Sequence, residues 1–151
     1  MTLPGPDLGE MTSILGKVIV ELRSNAAVHA IAGDRVFGKE PPAGDPAYQA
    51  PYIMVRRLGP IRRFPRAPYY TGRLLIDCVG RADVATGAQE ATALYNAVST
   101  ALHAKGWRQS AAGATVASSY EELGGQAIED PDTREPVERS IYIYSAPTAE
   151  A

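Results

Sequence analysis

The residues best equipped for chemistry lie between Met54 and Asp77, in MVRRLGPIRRFPRAPYYTGRLLID. Six arginines stand there (Arg56, Arg57, Arg62, Arg63, Arg66 and Arg73), and no acid precedes Asp77. Phe64, Tyr69 and Tyr70 are threaded among them. Guanidinium groups beside aromatic rings can hold phosphates and stack bases. The same planar forks pair with carboxylates, which makes arginine a frequent interface residue. A solvated loop is the bland alternative. Pro60, Pro65 and Pro68 hold the stretch extended and the rest of the chain is acidic, so an interface is favoured over a nucleic-acid grip.

Other reactive side chains are scattered. His29 and His103 are single, far apart, and each falls in a helical pattern with no further metal ligands at suitable spacing. The sequence has no phosphate-binding glycine loop, no GxSxG elbow and no HExxH. Asp130 and Asp132 in EDPDTREP lack the glycine and the closing glutamate of a calcium loop, and Pro131 favours a turn. Glu121 and Glu122 are adjacent, so on a strand they point to opposite faces and form no catalytic pair. Cys78 alternates with Leu74 and Ile76, which reads as a buried thiol. These patterns point away from an enzyme and call for no cofactor.

The elements that must position these groups follow from periodicity. Residues 1–10 read as a flexible N-terminus, 11–145 as one domain and 146–151 as a loose tail. Met11, Ile14, Leu15, Val18, Ile19 and Leu22 form one helical stripe, with Asp7 and Glu10 spaced as a capping box. Asn25 to Ala32 predicts a short helix stopped by Gly33, and RVFG a short strand. Lys39 to Ala50 is a proline-rich loop. Pro51 to Leu58 is a strand with Ile53 and Val55 on one face. Gly59 to Pro68 is the arginine loop, and Tyr69 to Val79 the next strand. Asp83 is placed to cap a long helix from Val84 to Lys105, ended by Gly106, with a stripe of Val84, Ala88, Ala91, Leu94, Tyr95, Val98, Ala101 and Leu102. Trp107 is expected to anchor the return. Thr115 to Leu123 and Val137 to Ser145 are two more strands, joined by GGQAIEDPDTREP. Strands in two groups with a helix between them predict an α+β fold: a mostly antiparallel sheet with the long and N-terminal helices on one face.

The totals narrow the classes further. A chain of 151 residues suits one domain that buries roughly 70% of its unfolded surface. Its net charge of −2 argues against a dedicated nucleic-acid binder. One cysteine excludes an internal disulfide. No apolar run is long enough to span a membrane, and MTLPGPDLGEM has no signal-peptide pattern. The charge is uneven. Pro46 to Ile76 carries +6, and Ala117 to Ala151 carries eight acids against two arginines, a net of −6. Such a chain can pair with copies of itself head to tail, and these contacts close into rings when the rotation allows.

The phrases AVHAIAGDRVFG, PYIMVRRLG, RLLIDCVGRADVATGAQEATALYNAVSTAL and EDPDTREPVERSIYIY, in that order, resemble the tail terminator (tail completion, or minor tail) proteins of long-tailed bacteriophages. The resemblance covers roughly Ile14 to Tyr144 and rests on element order and short phrases. It implies a structural virion protein at the neck-proximal end of the tail, assembled in the host cytoplasm. There it would form a homo-hexameric ring on the tube, stop its polymerisation and meet the head–tail connector, while genomic DNA passes through the lumen. The interface expected is Arg56, Arg57, Arg62, Arg63, Phe64 and Arg66 on the arginine side. On the acidic side it is Glu129, Asp130, Asp132, Arg134 and Glu135. A head–tail connector or stopper is the alternative, and a small nucleic-acid-binding module a further one.

Overall fold

Alternation along the central strands decides which side of the sheet is buried. The computed structural model describes residues 14–38, 49–60, 62–63, 69–103, 105–109 and 115–147. Its order is α1 (Ile14–Ser24), α2 (Ala26–Ala32), β1 (Val36–Phe37), β2 (Tyr52–Arg57), β3 (Arg62–Arg63) and β4 (Tyr69–Val79). Then come α3 (Gly87–Leu102), β5 (Lys105–Gln109), β6 (Thr115–Glu129) and β7 (Pro136–Pro147). One seven-stranded sheet runs β1-β2-β4-β7-β6-β5, with β3 added to β4. Among the described residues only β1 with β2 is parallel; the other pairings are antiparallel. The fold is α+β.

Ile53 and Val55 of β2 pair with Cys78 and Ile76 of β4, and Leu74 pairs with Tyr142 of β7. These side chains share one face and are fully buried. Val18, Ile19 and Leu22 of α1 and Leu94, Val98 and Leu102 of α3 close over them. Each such side chain contributes about 1.5–3 kcal/mol of burial. Cys78 lies in this core, where burial pushes its thiol strongly up, so it is no nucleophile.

The helix ends show what local chemistry decides. Asn25 caps α2 by accepting from the N–H groups of Ala27 and Val28 at 3.0 and 3.2 Å. Gly33 ends α2 at φ +59°, a conformation that a side chain would strain. α1 is described only from Ile14, so Met11 and the Asp7 box lie outside the described residues.

α3 differs from its expected span. It starts at Gly87, not Val84, and stops at Leu102, not Lys105. Asp83 sits exposed in the preceding turn, and Thr86 caps without a side-chain bond. Val84 falls outside the helix, Ala88 is exposed, and Gly87 and Ala97 join the buried stripe instead. His103 turns the backbone into extended geometry, and Lys105 and Gly106 belong to β5. The Trp107 side chain lies outside what is described.

The first turn of α3 is tied down by Glu90. Its carboxylate accepts from the Arg81 backbone N–H at 3.2 Å and from the guanidinium at 2.7–3.1 Å. The bond to Arg81 holds the Glu90 carboxyl below its ordinary value of 4.5. A depressed carboxyl contributes stability that is present above the ordinary value and lost as pH falls through the folded value. Glu90→Gln is therefore expected to flatten the fall of Tm below pH 4.5, measured by thermal melts across acid buffers. An acid limb identical to that of the parent would remove this pair from the pH response.

β6 and β7 are longer than expected. GGQAIE is strand rather than connection, and the turn shrinks to residues 130–135. The register shifts between Glu121 and Leu123 and between Leu123 and Gln126, and the second shift takes in both glycines as a bulge. A side chain on Gly125 would meet the Tyr95 ring and Glu138, so α3 approaches this bulge closely. β7 also runs two residues past Ser145.

Candidate assembly interface

The described arginines between Met54 and Asp77 stand on three strands that meet at one end of the sheet. Arg56 and Arg57 end β2, the first half-buried and the second exposed. Arg62 and Arg63 form β3 and pair with Thr71 and Tyr70 at the start of β4. The arginine loop thus folds back on the sheet as a short strand, which the prolines had argued against only for a central position. The Arg62 side chain is exposed; that of Arg63, and all of Phe64 and Arg66, lie outside what is described. Arg73 pairs with Glu122 of β6 through two contacts of 2.8 Å.

The acidic group sits at the other end. Thr71 pairs with Ser145 near one end of β4, whereas Val79 pairs with Val137 at the other. Those eight residues span about 26 Å at strand rise. Just beyond Val79, Asp130 organises the turn. Its Oδ1 accepts from the N–H groups of Asp132 and Thr133 at 2.8 and 3.2 Å, and Thr133 Oγ1 accepts from Glu135 N–H. Arg134 takes φ +61° there. This is the turn the prolyl-aspartate pattern predicted. Glu129, Asp132 and Arg134 are exposed. Burial pushes the Glu135 carboxyl up, against the lowering effect of Thr133. Arginine and acid groups therefore flank the sheet at opposite ends and cannot neutralise each other within one chain.

Glu121 and Glu122 point to opposite faces. Glu121 accepts from Tyr95 and Tyr142 hydroxyls at 3.0 Å each on the helix side, and its N–H donates to His103 Nδ1. Glu122 meets Arg73 on the other side. His29 lies 3.6 Å from Asp34, far from this cluster in sequence. Among the described residues no group of three or more His, Cys, Asp or Glu could hold a metal ion, and no helix is long and apolar enough to cross a membrane.

The second sheet face was not anticipated as a site. Among the described residues no helix packs on it. Phe37, Met54 and Val79 are buried toward the β1 edge, but Leu58, Tyr120, Leu123 and Ile128 are 37–50% exposed. Ile141 and Ile143 run between them, half-buried. Beyond Ser119 the outer edge of β6 carries no strand among the described residues, because β5 pairs only with residues 115–119. The signal was present in IYIYS, where both alternating faces are apolar. A cleft of about 290 Å³ opens at the arginine end of this face, lined by Leu58, Gly59, Arg62, Thr71, Arg73 and Ile143 among others.

One ion pair stiffens the middle of that face. Arg139 donates to both oxygens of Asp77 at 2.7 and 2.9 Å, which raises the Arg139 pKa. Asp77 is 7% exposed, whereas the arginine is about a third exposed. Arg139→Ala leaves the buried carboxylate unpaired. A fully buried pair broken in this way costs about 3–5 kcal/mol, and solvent at the arginine reduces the expected loss to about 2 kcal/mol. Chemical denaturation measures it; an unchanged midpoint would show that Asp77 is satisfied otherwise.

No protein-family model and no curated protein matches the sequence. The fold does match a solved structure. A chain from the virion of a native gene transfer agent particle superposes with a TM-score of 0.60 at 19% identity, covering 86% of this chain and 91% of that one. At this identity the likeness establishes a shared fold.

Proposed function

We propose that this chain is a structural protein of a long-tailed phage or phage-like virion that caps the tail tube, ends its polymerisation and offers the tail-side surface for joining the head. The observation that carries the reading is the fold shared nearly end to end with a chain of a gene transfer agent virion. The tail-terminator phrases in the sequence give the finer placement. Opposite charges at opposite ends of the sheet, and an apolar face left open, suit a ring built by repeating one contact. Its partners are then copies of itself, six in the ring, together with the tube protein and the head–tail connector. DNA passes through the lumen without sequence-specific contacts. No reaction and no cofactor enters this role, and the protein resides at the neck-proximal end of the tail.

A nucleic-acid module is less well supported, since Arg73 is occupied by Glu122 and the arginines are spread over three strands. Polymerising tube protein with increasing amounts of this chain tests the capping role. Tubes are expected to shorten as the ratio rises, with one extra ring of density at one end. Unchanged lengths with bare ends would overturn it.

A further inference from the structure

The open part of the second sheet face has a charge pattern as well as apolar surface, and together they identify what covers it. At the arginine end lies the cleft beside Arg62, floored by Thr71, Gly72 and Ile143. At the far end the β6–β7 turn presents Glu129, Asp130 and Asp132, with Arg134 as the one cation between Glu129 and Pro136. About 26 Å of strand separates the two within one molecule. Neither end can fold onto the other, so each is available to a second copy.

We infer that the acidic β6–β7 turn of one copy seats in the arginine cleft of the next, drawing the exposed Tyr120, Leu123 and Ile128 into a contact between copies. This rests on the ring reading and names its contact surface. The interface is heterologous, because cleft and turn are different surfaces, so each copy uses both and the contact repeats around a ring. The bulges of β6 turn an otherwise open strand edge into a specific shape and discourage indiscriminate edge pairing. Leu123 lies between those bulges and Ile128 beyond them, and both supply apolar area that the charges align.

Charge reversal on the full chain tests this. One variant carries Arg62→Glu; the other carries Glu129→Arg with Asp132→Arg. All three positions are exposed, and circular dichroism and Tm check that both variants fold. Light scattering over a concentration series reads the association. The parent chain is expected to associate below about 1 mM, a binding free energy of about −4 kcal/mol. Each variant alone should associate about 100-fold more weakly, since like charges facing each other are costly. Mixed one to one, the variants should recover association, because each cleft then meets an oppositely charged turn. Folded variants that associate like the parent, or a mixture that stays monomeric, would overturn this contact while leaving the capping role standing. A parent chain that stays monomeric to about 1 mM would also overturn it. Loss of capping in the tube experiment, with association and its charge rescue intact, would instead remove the capping role and keep the contact.

Discussion

Replacing Tyr142 by alanine is expected to cost about 3–5 kcal/mol and to lower Tm by roughly 10 °C. Tyr142 is fully buried on the helix side of β7, paired with Leu74 on one side and Glu121 on the other. Its removal empties the middle of the sheet beneath α3 and takes away one of the two hydroxyls that Glu121 accepts. Tyr142→Phe separates the effects. It keeps the ring and loses the hydroxyl's hydrogen bonds with Glu121 and Ser99, so about 1–2 kcal/mol is expected. Burial, and then the Glu121 charge, push the Tyr142 hydroxyl far above its ordinary value of 10.0. Its phenolate should therefore be absent from an absorbance titration until the protein unfolds in alkali. Near-equal losses from the two variants would mean that the polar bond, not the ring, holds this strand.

Gly80→Ala is expected to cost about 3 kcal/mol, the upper end for forcing atoms into a packed site. β4 ends at Val79, and Gly80 passes directly under the start of α3. A Cβ there would collide with the Gly87 carbonyl oxygen and crowd the Ala91 N–H. Both obstacles are backbone, so no side chain can swing aside. Gly87 faces the mirror problem against the Arg81 carbonyl. The two glycines let the helix turn back immediately onto the strand it has just left. Because α3 carries Leu94, Val98 and Leu102 over the sheet, lifting its start weakens the whole layer. Equilibrium denaturation of Gly80→Ala and Gly87→Ala measures this. A Gly80→Ala midpoint within error of the parent would show that the connection has slack.

The same contact explains one limit of reading this sequence. Val84 and Ala88 continue the apolar period of α3, so the helix looked longer at its start, although Ala91, Leu94, Val98 and Leu102 are buried as the stripe implied. The Gly80–Gly87 approach, a tertiary constraint, sets its true start. By contrast, Ile53, Val55, Leu74, Ile76 and Cys78 alternate in the order that buries them, and the fold class and helix-covered face were legible from that. KGWRQ hid β5, because a strand directly after a helix carries no alternation of its own. GGQAIE looked like a connection because paired glycines are turn signals; here they form a bulge inside β6.

The candidate interface was half legible. Arginine and acid clusters are plain in the composition, but composition carries no position in space. Only the pairing of β3 with the start of β4, and of the end of β6 with the start of β7, sets the clusters at opposite ends of one sheet. The open apolar face needed the register too. Ile141, Ile143, Leu123 and Tyr120 line up across β6 and β7, although they are scattered in the sequence.

Electron microscopy of particles produced with this gene disrupted tests the proposed role most directly. Capping of the tail tube by this chain requires that its loss release tube growth, so overlong tubes without heads are expected. Tails of normal length beside filled, unattached heads would contradict it and place the protein at the connector. Intact infectious particles would contradict any structural role in the virion.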